Sequence, residues 1–140
     1  MLVFQATCVA VDGRAVLIEG PPGSGKSSLA LALVDRGGVL IADDGVVLEP
    51  EGDVLYAVPH PNTRGLMEVR NLGLVSMPVC ERASVALLID LDPDAPRFIE
   101  QAESATLGGV HIPLVRLWPG SEALAIKAEI ALRLYGTRDD

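Results

Sequence analysis

The 140-residue sequence has few aromatic residues, few basic residues and little cysteine, and each shortage narrows the class of protein. Aromatic side chains make up 4% of the chain and hydrophobic residues 49%, so the predicted core is aliphatic. Eleven basic residues against 19 acidic ones give a net charge of −8, which argues against nucleic acid as a partner, because its phosphates require clustered Lys and Arg. Cys8 and Cys80 are too few for a disulfide framework, and their spacing from His60 and His111 argues against zinc.

Long apolar runs are also missing, and the longest ones are too short to cross a bilayer. The N-terminal residues 1–7 carry no positive charge ahead of their apolar side chains, so we expect no secretory signal. These observations predict a cytoplasmic protein with no membrane partner. The length fits one domain, residues 1–140, which is long enough to bury a core.

The sequence does contain a complete phosphate-loop motif, because Gly20–Ser27 matches G-x-x-x-x-G-K-[ST]. Glycine lets backbone N–H groups approach and cradle phosphate oxygens at the positive end of the following helix. Lys26 is expected to reach the β- and γ-phosphates of ATP, and the Ser27 hydroxyl is expected to bind Mg²⁺. An ordinary glycine-rich turn is the alternative, but the strand before the motif and the helix after it favour a nucleotide site. The predicted ATP-binding residues are Gly20, Pro21, Pro22, Gly23, Ser24, Gly25, Lys26, Ser27 and Ser28.

The apolar pattern predicts one α/β domain with a mixed, strand-rich sheet that opens with an antiparallel hairpin. The turn signal Asp12-Gly13 joins a β-rich run at Leu2–Val11 to the strand Ala15–Glu19, which enters the phosphate loop. Helices are predicted at Lys26–Arg36 and Glu122–Tyr135. The second helix rests on the helical spacing of Leu124, Ile126, Ile130 and Leu132, and it is expected to begin at an N-cap Ser121 and to end at Gly136. Further strands are predicted at Val39–Ala42, Val46–Glu49, Val54–Val58, Val85–Leu91 and His111–Leu117, with a short helix within Pro96–Thr106.

Two adjacent acids, Asp43 and Asp44, end the strand Val39–Ala42 and are candidates for metal binding and for general-base chemistry on an attacking hydroxyl. Side chains alternate along an extended segment, so we expect only one of the two acids to face the phosphate. A pair of solvated turn residues before Gly45 is the alternative.

The phosphate loop, the Asp-Asp pair and the segment Glu68-Val69-Arg70-Asn71-Leu72-Gly73 together resemble the catalytic domain of HPr kinase/phosphorylase. The resemblance runs from Gln5 to about Ala131 and is to the catalytic domain alone, without the N-terminal domain of longer family members. It implies an ATP- and Mg²⁺-dependent enzyme that phosphorylates a serine on an HPr-like phosphocarrier. It also implies a homo-oligomer, with a hexamer as the expected assembly.

The resemblance implies a role for individual residues. Lys26 would contact the phosphates, and Asp44 would take the proton from the substrate serine. Glu68 would join Ser27 as a Mg²⁺ ligand, and Arg70 lies in a segment that is functionally important in the family. Arg97 is matched to a family arginine that acts on the transferring phosphate, and a surface arginine beside Pro96 is the alternative.

Three positions depart from the family pattern. Gln5 stands where the family has a histidine, and glutamine does not titrate near neutral pH. Ser121 replaces an arginine in the Pro-Gly segment that the family ties to dephosphorylation, so these two changes argue against phosphorylase activity. Asn71 replaces a glycine, but asparagine tolerates the left-handed backbone that a turn requires.

Two other functions are compatible with the sequence. A small-molecule phosphate-loop kinase would use Val85–Asp90 as its Walker B strand and Asp90 to hold the metal. A regulatory module that binds nucleotide without catalysis would explain Gln5, Asn71 and Ser121. Trp118 is interpreted as a packing or interface residue.

Overall fold

The computed structural model describes residues 1–138, which form eleven strands and two helices. Their bounds are β1 Leu2–Phe4, β2 Thr7–Val11, β3 Arg14–Glu19, α1 Lys26–Asp35, β4 Val39–Ala42, β5 Val46–Glu51, β6 Val54–Val58, β7 Leu66–Val69, β8 Gly73–Ser76, β9 Ala83–Leu91, β10 Glu103–Leu107, β11 Val110–Leu117 and α2 Leu124–Tyr135. The opening hairpin is confirmed, since β2 and β3 pair antiparallel. Asp12 and Gly13 at its turn have φ values of 51° and 78°. Positive φ at both central residues is the geometry that an Asp-Gly hairpin turn favours.

Nine strands form one mixed sheet, and β7 and β8 form a separate two-stranded sheet. In the large sheet β3 pairs antiparallel with β2 and parallel with β9. The other edge of β9 pairs antiparallel with β6 at its start and parallel with β11 at its end. The parallel strands β3, β9 and β11 therefore end side by side, and the phosphate loop leaves the sheet at that edge.

The sheet separates two apolar clusters, and alternating side chains of β2 and β3 supply both. Val9 and Val16 lie in the cluster that contains residues of α1 and α2. Cys8 and Leu17 lie in the cluster on the opposite face, which β5, β6 and β11 help to cover. Because both faces are covered, β2 is apolar along nearly its whole length and buried throughout.

Helix α1 agrees with its predicted span, whereas α2 begins later than predicted. Its N-cap is Ala123, and Ser121 lies before the helix, where its Oγ accepts a hydrogen bond from the Ala123 N–H at 3.3 Å. Gly136 ends the helix as predicted. Not all of the apolar residues at helical spacing are buried. The face that packs on the sheet comprises Leu124, Ala128, Ala131 and Leu132, and Ile126 and Ile130 are 46% and 38% exposed.

The predicted short helix within Pro96–Thr106 was also wrong. Residues 96–102 are irregular, and Glu103–Leu107 forms β10, which pairs antiparallel with β11 across Gly108-Gly109. The pairing partner decides this segment, because Val110–Leu117 offers a strand edge that local helix propensity does not reveal. Strand β5 likewise extends to Glu51, two residues beyond its predicted end, because β6 pairs with it as far as Val54.

Candidate active site

The phosphate loop joins β3 to α1, and Gly25 is the N-cap residue of the helix with φ at 99°. An L side chain rarely adopts that φ, so glycine is required there. The Lys26 Nζ donates to the Gly20 carbonyl oxygen at 2.9 Å and lies 3.5 Å from that of Pro21. The Lys26 ammonium is therefore held over the phosphate loop by a hydrogen bond to the first residue of that loop.

The loop fits an anionic, oxygen-rich ligand such as a triphosphate. A Cβ added at Gly23 or Gly25 would meet no atom of the described chain within 4 Å, so the backbone is open to close approach. Ser24 Oγ is buried and has no hydrogen-bond partner within residues 1–138. The first N–H groups of α1 also lack intrahelical acceptors, and the helix dipole makes this end positive.

Asp43, the first acid of the pair, is the residue that contacts the phosphate loop. Its Oδ1 accepts hydrogen bonds from Ser27 Oγ at 2.7 Å and from Thr7 Oγ1 at 3.2 Å. Its Oδ2 accepts from the backbone N–H of Glu68 at 3.0 Å. One carboxylate therefore links the loop, the opening strand β2 and the β7–β8 hairpin.

Asp44 has the opposite orientation. It is exposed, its φ is 57°, and its backbone N–H lies 3.4 Å from Thr7 Oγ1. Only one acid of the pair turns toward the loop, as predicted, and that acid is Asp43, which accepts the hydrogen bond from Ser27. The contact of Asp43 with Ser27 and the part played by Thr7 were not predicted. Thr7 could have indicated this contact, because it is a polar residue at the start of an otherwise apolar strand. In the structure it is fully buried.

The β7–β8 hairpin brings Glu68 to the same place. Met67 is fully buried in the cluster beneath α1, so the alternation of the strand leaves Glu68 exposed beside Asp43. Arg70 is exposed at the hairpin turn. Asn71 has φ at 74°, which confirms that asparagine supports the left-handed turn where the family pattern has glycine.

Asp90 lies on the other side of β3 and is tied to a cation. Arg116 forms an ion pair with Asp90 and lies 3.0 Å from Glu103. Glu19, the last residue of β3, aligns with Asp90 in the parallel register. Burial first and the charge of Asp90 second raise the pKa of the Glu19 carboxyl, and Arg116 acts in the opposite direction.

The remaining predicted residues lie apart from the Asp43 cluster. Arg97 lines a cavity at the end of β11 together with Trp118. Gln5 is exposed between β1 and β2, and Ser121 Oγ accepts a hydrogen bond from Lys127 Nζ at 3.1 Å.

A metal ion at this site would need ligands from outside the protein. Within residues 1–138, no group of three or more His, Cys, Asp or Glu side chains converges on one point. Mg²⁺ is typically held by one or two carboxylates together with substrate phosphates and water, so Ser27, Asp43 and Glu68 fit a metal that arrives with a nucleotide.

The fold and this site define an α/β domain in which a phosphate-loop motif joins a strand to a helix. The family model described as "HPr Serine kinase C-terminal domain" matches residues 2–117, and the chain belongs to this family. That result and the relatives below confirm the resemblance drawn from the sequence motifs.

Among curated relatives, HPr kinase/phosphorylase of Chlorobium phaeobacteroides (strain DSM 266 / SMG 266 / 2430) is 32% identical, over 92% of this chain and 45% of its own length. HPr kinase/phosphorylase of Mycoplasmopsis pulmonis is 37% identical over 67% of this chain and 34% of its own length. The chain thus spans less than half the length of these relatives. The solved Hpr(Ser) kinase/phosphatase from Coxiella burnetii superimposes with a TM-score of 0.84 at 24% identity, covering 95% of each chain, which confirms the predicted fold class.

Proposed function

We propose that this chain is an ATP- and Mg²⁺-dependent kinase domain that phosphorylates a serine of an HPr-like phosphocarrier. The observation that carries the proposal is the 2.7 Å contact between Ser27 Oγ and Asp43 Oδ1. It supports the proposal because Asp43, at the tip of β4, contacts the phosphate loop, and phosphoryl transfer requires a metal and a base positioned beside the phosphates. The names of the relatives, HPr kinase/phosphorylase, supply the reaction class.

In this proposal the loop holds the nucleotide. The backbone N–H groups of the non-proline residues of this loop and the Lys26 ammonium would bind the phosphates, which offsets their repulsion by an acidic protein. Ser27 and Glu68 would hold Mg²⁺, with Asp43 orienting the Ser27 hydroxyl by its hydrogen bond. When bound, the metal supplies positive charge against the β- and γ-phosphates.

Asp44 would act as the general base. Its exposure supports this role, because the serine of a protein substrate must approach from solvent. The hydrogen bonds of Asp43 leave the neighbouring carboxylate of Asp44 to accept the serine proton. Lys26 would stabilise charge on the transferring phosphoryl group, and Arg70 would act from the turn of the β7–β8 hairpin. Arg97 lines a cavity apart from this cluster, so we assign it no part in the transfer.

The surface supports a protein partner and self-association. Leu72 and Leu74 are 77% and 71% exposed on the hairpin that carries Glu68. On α2, the apolar residues Ile126, Ile130 and Leu134 lie four residues apart along the helix and are also exposed. We assign the first patch to contact with the carrier and the second to a homo-oligomer, with a hexamer expected. No helix within residues 1–138 has the length and apolar character needed to span a membrane. We place the protein in the cytoplasm, without a nucleic-acid partner.

The test is transfer of labelled phosphate from ATP to a panel of HPr-like carriers, with mass spectrometry to locate the modified serine. Asp44→Asn should abolish label transfer while ATP binding persists. Asp53→Asn, an exposed acid in the β5–β6 turn, is the matched control and should retain activity. Persistent ATP binding with no labelled serine on any carrier would instead support the nucleotide-binding regulatory module. Release of phosphate from the labelled carrier should be undetectable, because Gln5 and Ser121 replace the family's histidine and arginine.

The small-molecule kinase that uses Asp90 receives less support from the geometry. Asp90 is engaged by Arg116, whereas Ser27 bonds to Asp43. In that alternative Asp90→Asn would abolish turnover. Our proposal expects Asp90→Asn to retain phosphoryl transfer, at the cost of the ion pair with Arg116.

A further inference from the structure

A cavity of about 410 Å³ lies at the carboxyl end of β11, apart from the Asp43 cluster. Its walls come from residues 96–101, from β11 and Trp118, and from Lys127 on α2. Sites for small molecules commonly occupy about 300–1,000 Å³, so the cavity has the size of a ligand site. The roles proposed above do not explain it.

The cavity lies along the same sheet edge as the phosphate loop. A Cβ at Gly20 would lie 3.1 Å from Leu91 Cβ, so the loop starts against the end of β9. The backbone N–H of Asp92 donates to the Leu117 carbonyl oxygen at 2.9 Å, which joins the ends of β9 and β11. Neighbouring strands are about 4.8 Å apart, so β11 is about 10 Å from the strand that enters the loop. That separation is about the reach of a nucleoside from its phosphates, and ligands of open α/β sheets lie across the carboxyl ends of the strands.

The chemistry of the walls suits a flat, neutral ring. The Trp118 indole is fixed by a hydrogen bond from its Nε1 to the Ala95 carbonyl oxygen, yet 45% of the residue is exposed. Phe98 is 70% exposed on the facing segment, an unusual position for a phenyl ring in a chain with only two phenylalanines. Three cations, Arg97, Arg116 and Lys127, line the cavity with two acids, Glu100 and Glu103. Arg116 is also paired with Asp90, so the charge around the cavity is balanced. Balanced charge disfavours a second polyphosphate, whereas aromatic faces stack on nucleobases.

We propose that this cavity is the nucleobase subsite of the nucleotide whose phosphates are held by Gly20–Ser27, with Trp118 and Phe98 as its aromatic walls. The inference rests on the proposed function and deepens it, because it assigns base recognition to segment 96–101 and the end of β11. It also gives Trp118 a ligand role in place of the packing role interpreted from the sequence.

The experiment compares ATP with inorganic tripolyphosphate, which has the phosphates but no base. Trp118 is the only tryptophan, so its fluorescence reports on the cavity. In the presence of Mg²⁺, ATP should change the Trp118 emission and tripolyphosphate should not. By calorimetry, Phe98→Ala should weaken ATP binding at least about 5-fold, since loss of one aromatic wall removes stacking on the base, and should leave tripolyphosphate binding unchanged.

Phe98 is the residue to substitute because its exposed side chain contributes little to the core. Trp118 is less suitable because its indole is hydrogen-bonded to Ala95. Val3→Ala, an exposed apolar truncation on β1, is the matched control and should leave both affinities unchanged. Equal affinity for ATP and tripolyphosphate, with Phe98→Ala without effect, would overturn the base subsite and leave the phosphate loop standing. Failure of both ligands to bind the wild-type protein would overturn the proposed function and this inference together.

Discussion

Replacing Asp43 by asparagine is expected to weaken both the fold and the nucleotide site. The carboxylate accepts hydrogen bonds from Ser27 Oγ at 2.7 Å, from Thr7 Oγ1 at 3.2 Å and from the Glu68 N–H at 3.0 Å. Asparagine has the same shape as aspartate but only one acceptor oxygen. The Glu68 backbone N–H is fixed in place, so this oxygen must face it. The amide NH₂ then faces the two hydroxyls, which must rotate to become acceptors.

The cost follows from exchanging charged hydrogen bonds for neutral ones. Bonds to a charged group contribute about 1.5–3 kcal/mol and neutral bonds about 0.5–1.5 kcal/mol, so the Asp43→Asn variant should lose about 1–2 kcal/mol in free energy of unfolding. For a domain of this size, that corresponds to about 3–7 °C in Tm. Because the Ser27 hydroxyl would now accept a hydrogen bond from the amide NH₂, its oxygen is also less available to a metal, and affinity for ATP with Mg²⁺ should fall.

Asp44→Asn is the matched variant, one residue away and exposed. Surface changes of this kind usually alter stability by less than about 0.5 kcal/mol, so its Tm and ATP affinity should match those of the wild type. Thermal unfolding followed by circular dichroism and calorimetric titration with ATP and Mg²⁺ measure both quantities. Equal Tm values for the wild type and Asp43→Asn, with unchanged ATP affinity, would refute the account of Asp43 as the link between loop, strand and hairpin.

Three further predictions concern stability and reactivity. Glu19→Gln should raise Tm more at pH 7.5 than at pH 4, because the pKa of Glu19 is raised in the fold by burial and Asp90, so its contribution to stability declines as pH rises above the unfolded value of about 4.5. Thermal scans at the two pH values measure the change in Tm, with Glu100→Gln, at an exposed residue, as the control. A larger gain in Tm at pH 4 than at pH 7.5 would contradict the prediction. Gly25→Ala should lower the free energy of unfolding by about 1–2 kcal/mol, because φ is 99° at that position. Ser28→Ala in the same turn is the control and should cost less. Equal losses of Tm in the two variants would contradict backbone strain at residue 25. Cys8 should resist thiol reagents in the native protein, because burial, and to a smaller extent Cys80, raises the pKa of its thiol. Mass spectrometry should find that half-buried Cys80 is modified first. Modification of Cys8 before Cys80 would contradict the burial of Cys8.

Local signals predicted the elements that depend on neighbours in the chain. The Asp-Gly turn, the loop glycines and the apolar runs gave the opening hairpin and the strand–loop–helix unit, because backbone conformation there is fixed by residue type. Residues 103–107 were misjudged because a strand edge presented by β11 overrides local propensity. Apolar spacing could not assign the buried face of α2 for a similar reason, since the sheet beneath it selects small residues such as Ala128 and Ala131 rather than the larger Ile126 and Ile130.

The sequence by itself determined the family, the phosphate loop and the presence of an acid pair at the end of one strand. Only the tertiary structure decided which acid of that pair touches Ser27, since the choice depends on a threonine from β2 and an amide from β7 that are far away along the chain. It also brought Trp118 and Phe98 to one cavity beside the parallel strand ends. Contacts of this kind arise from sheet order and register, which the sequence specifies only through the packing of the whole chain.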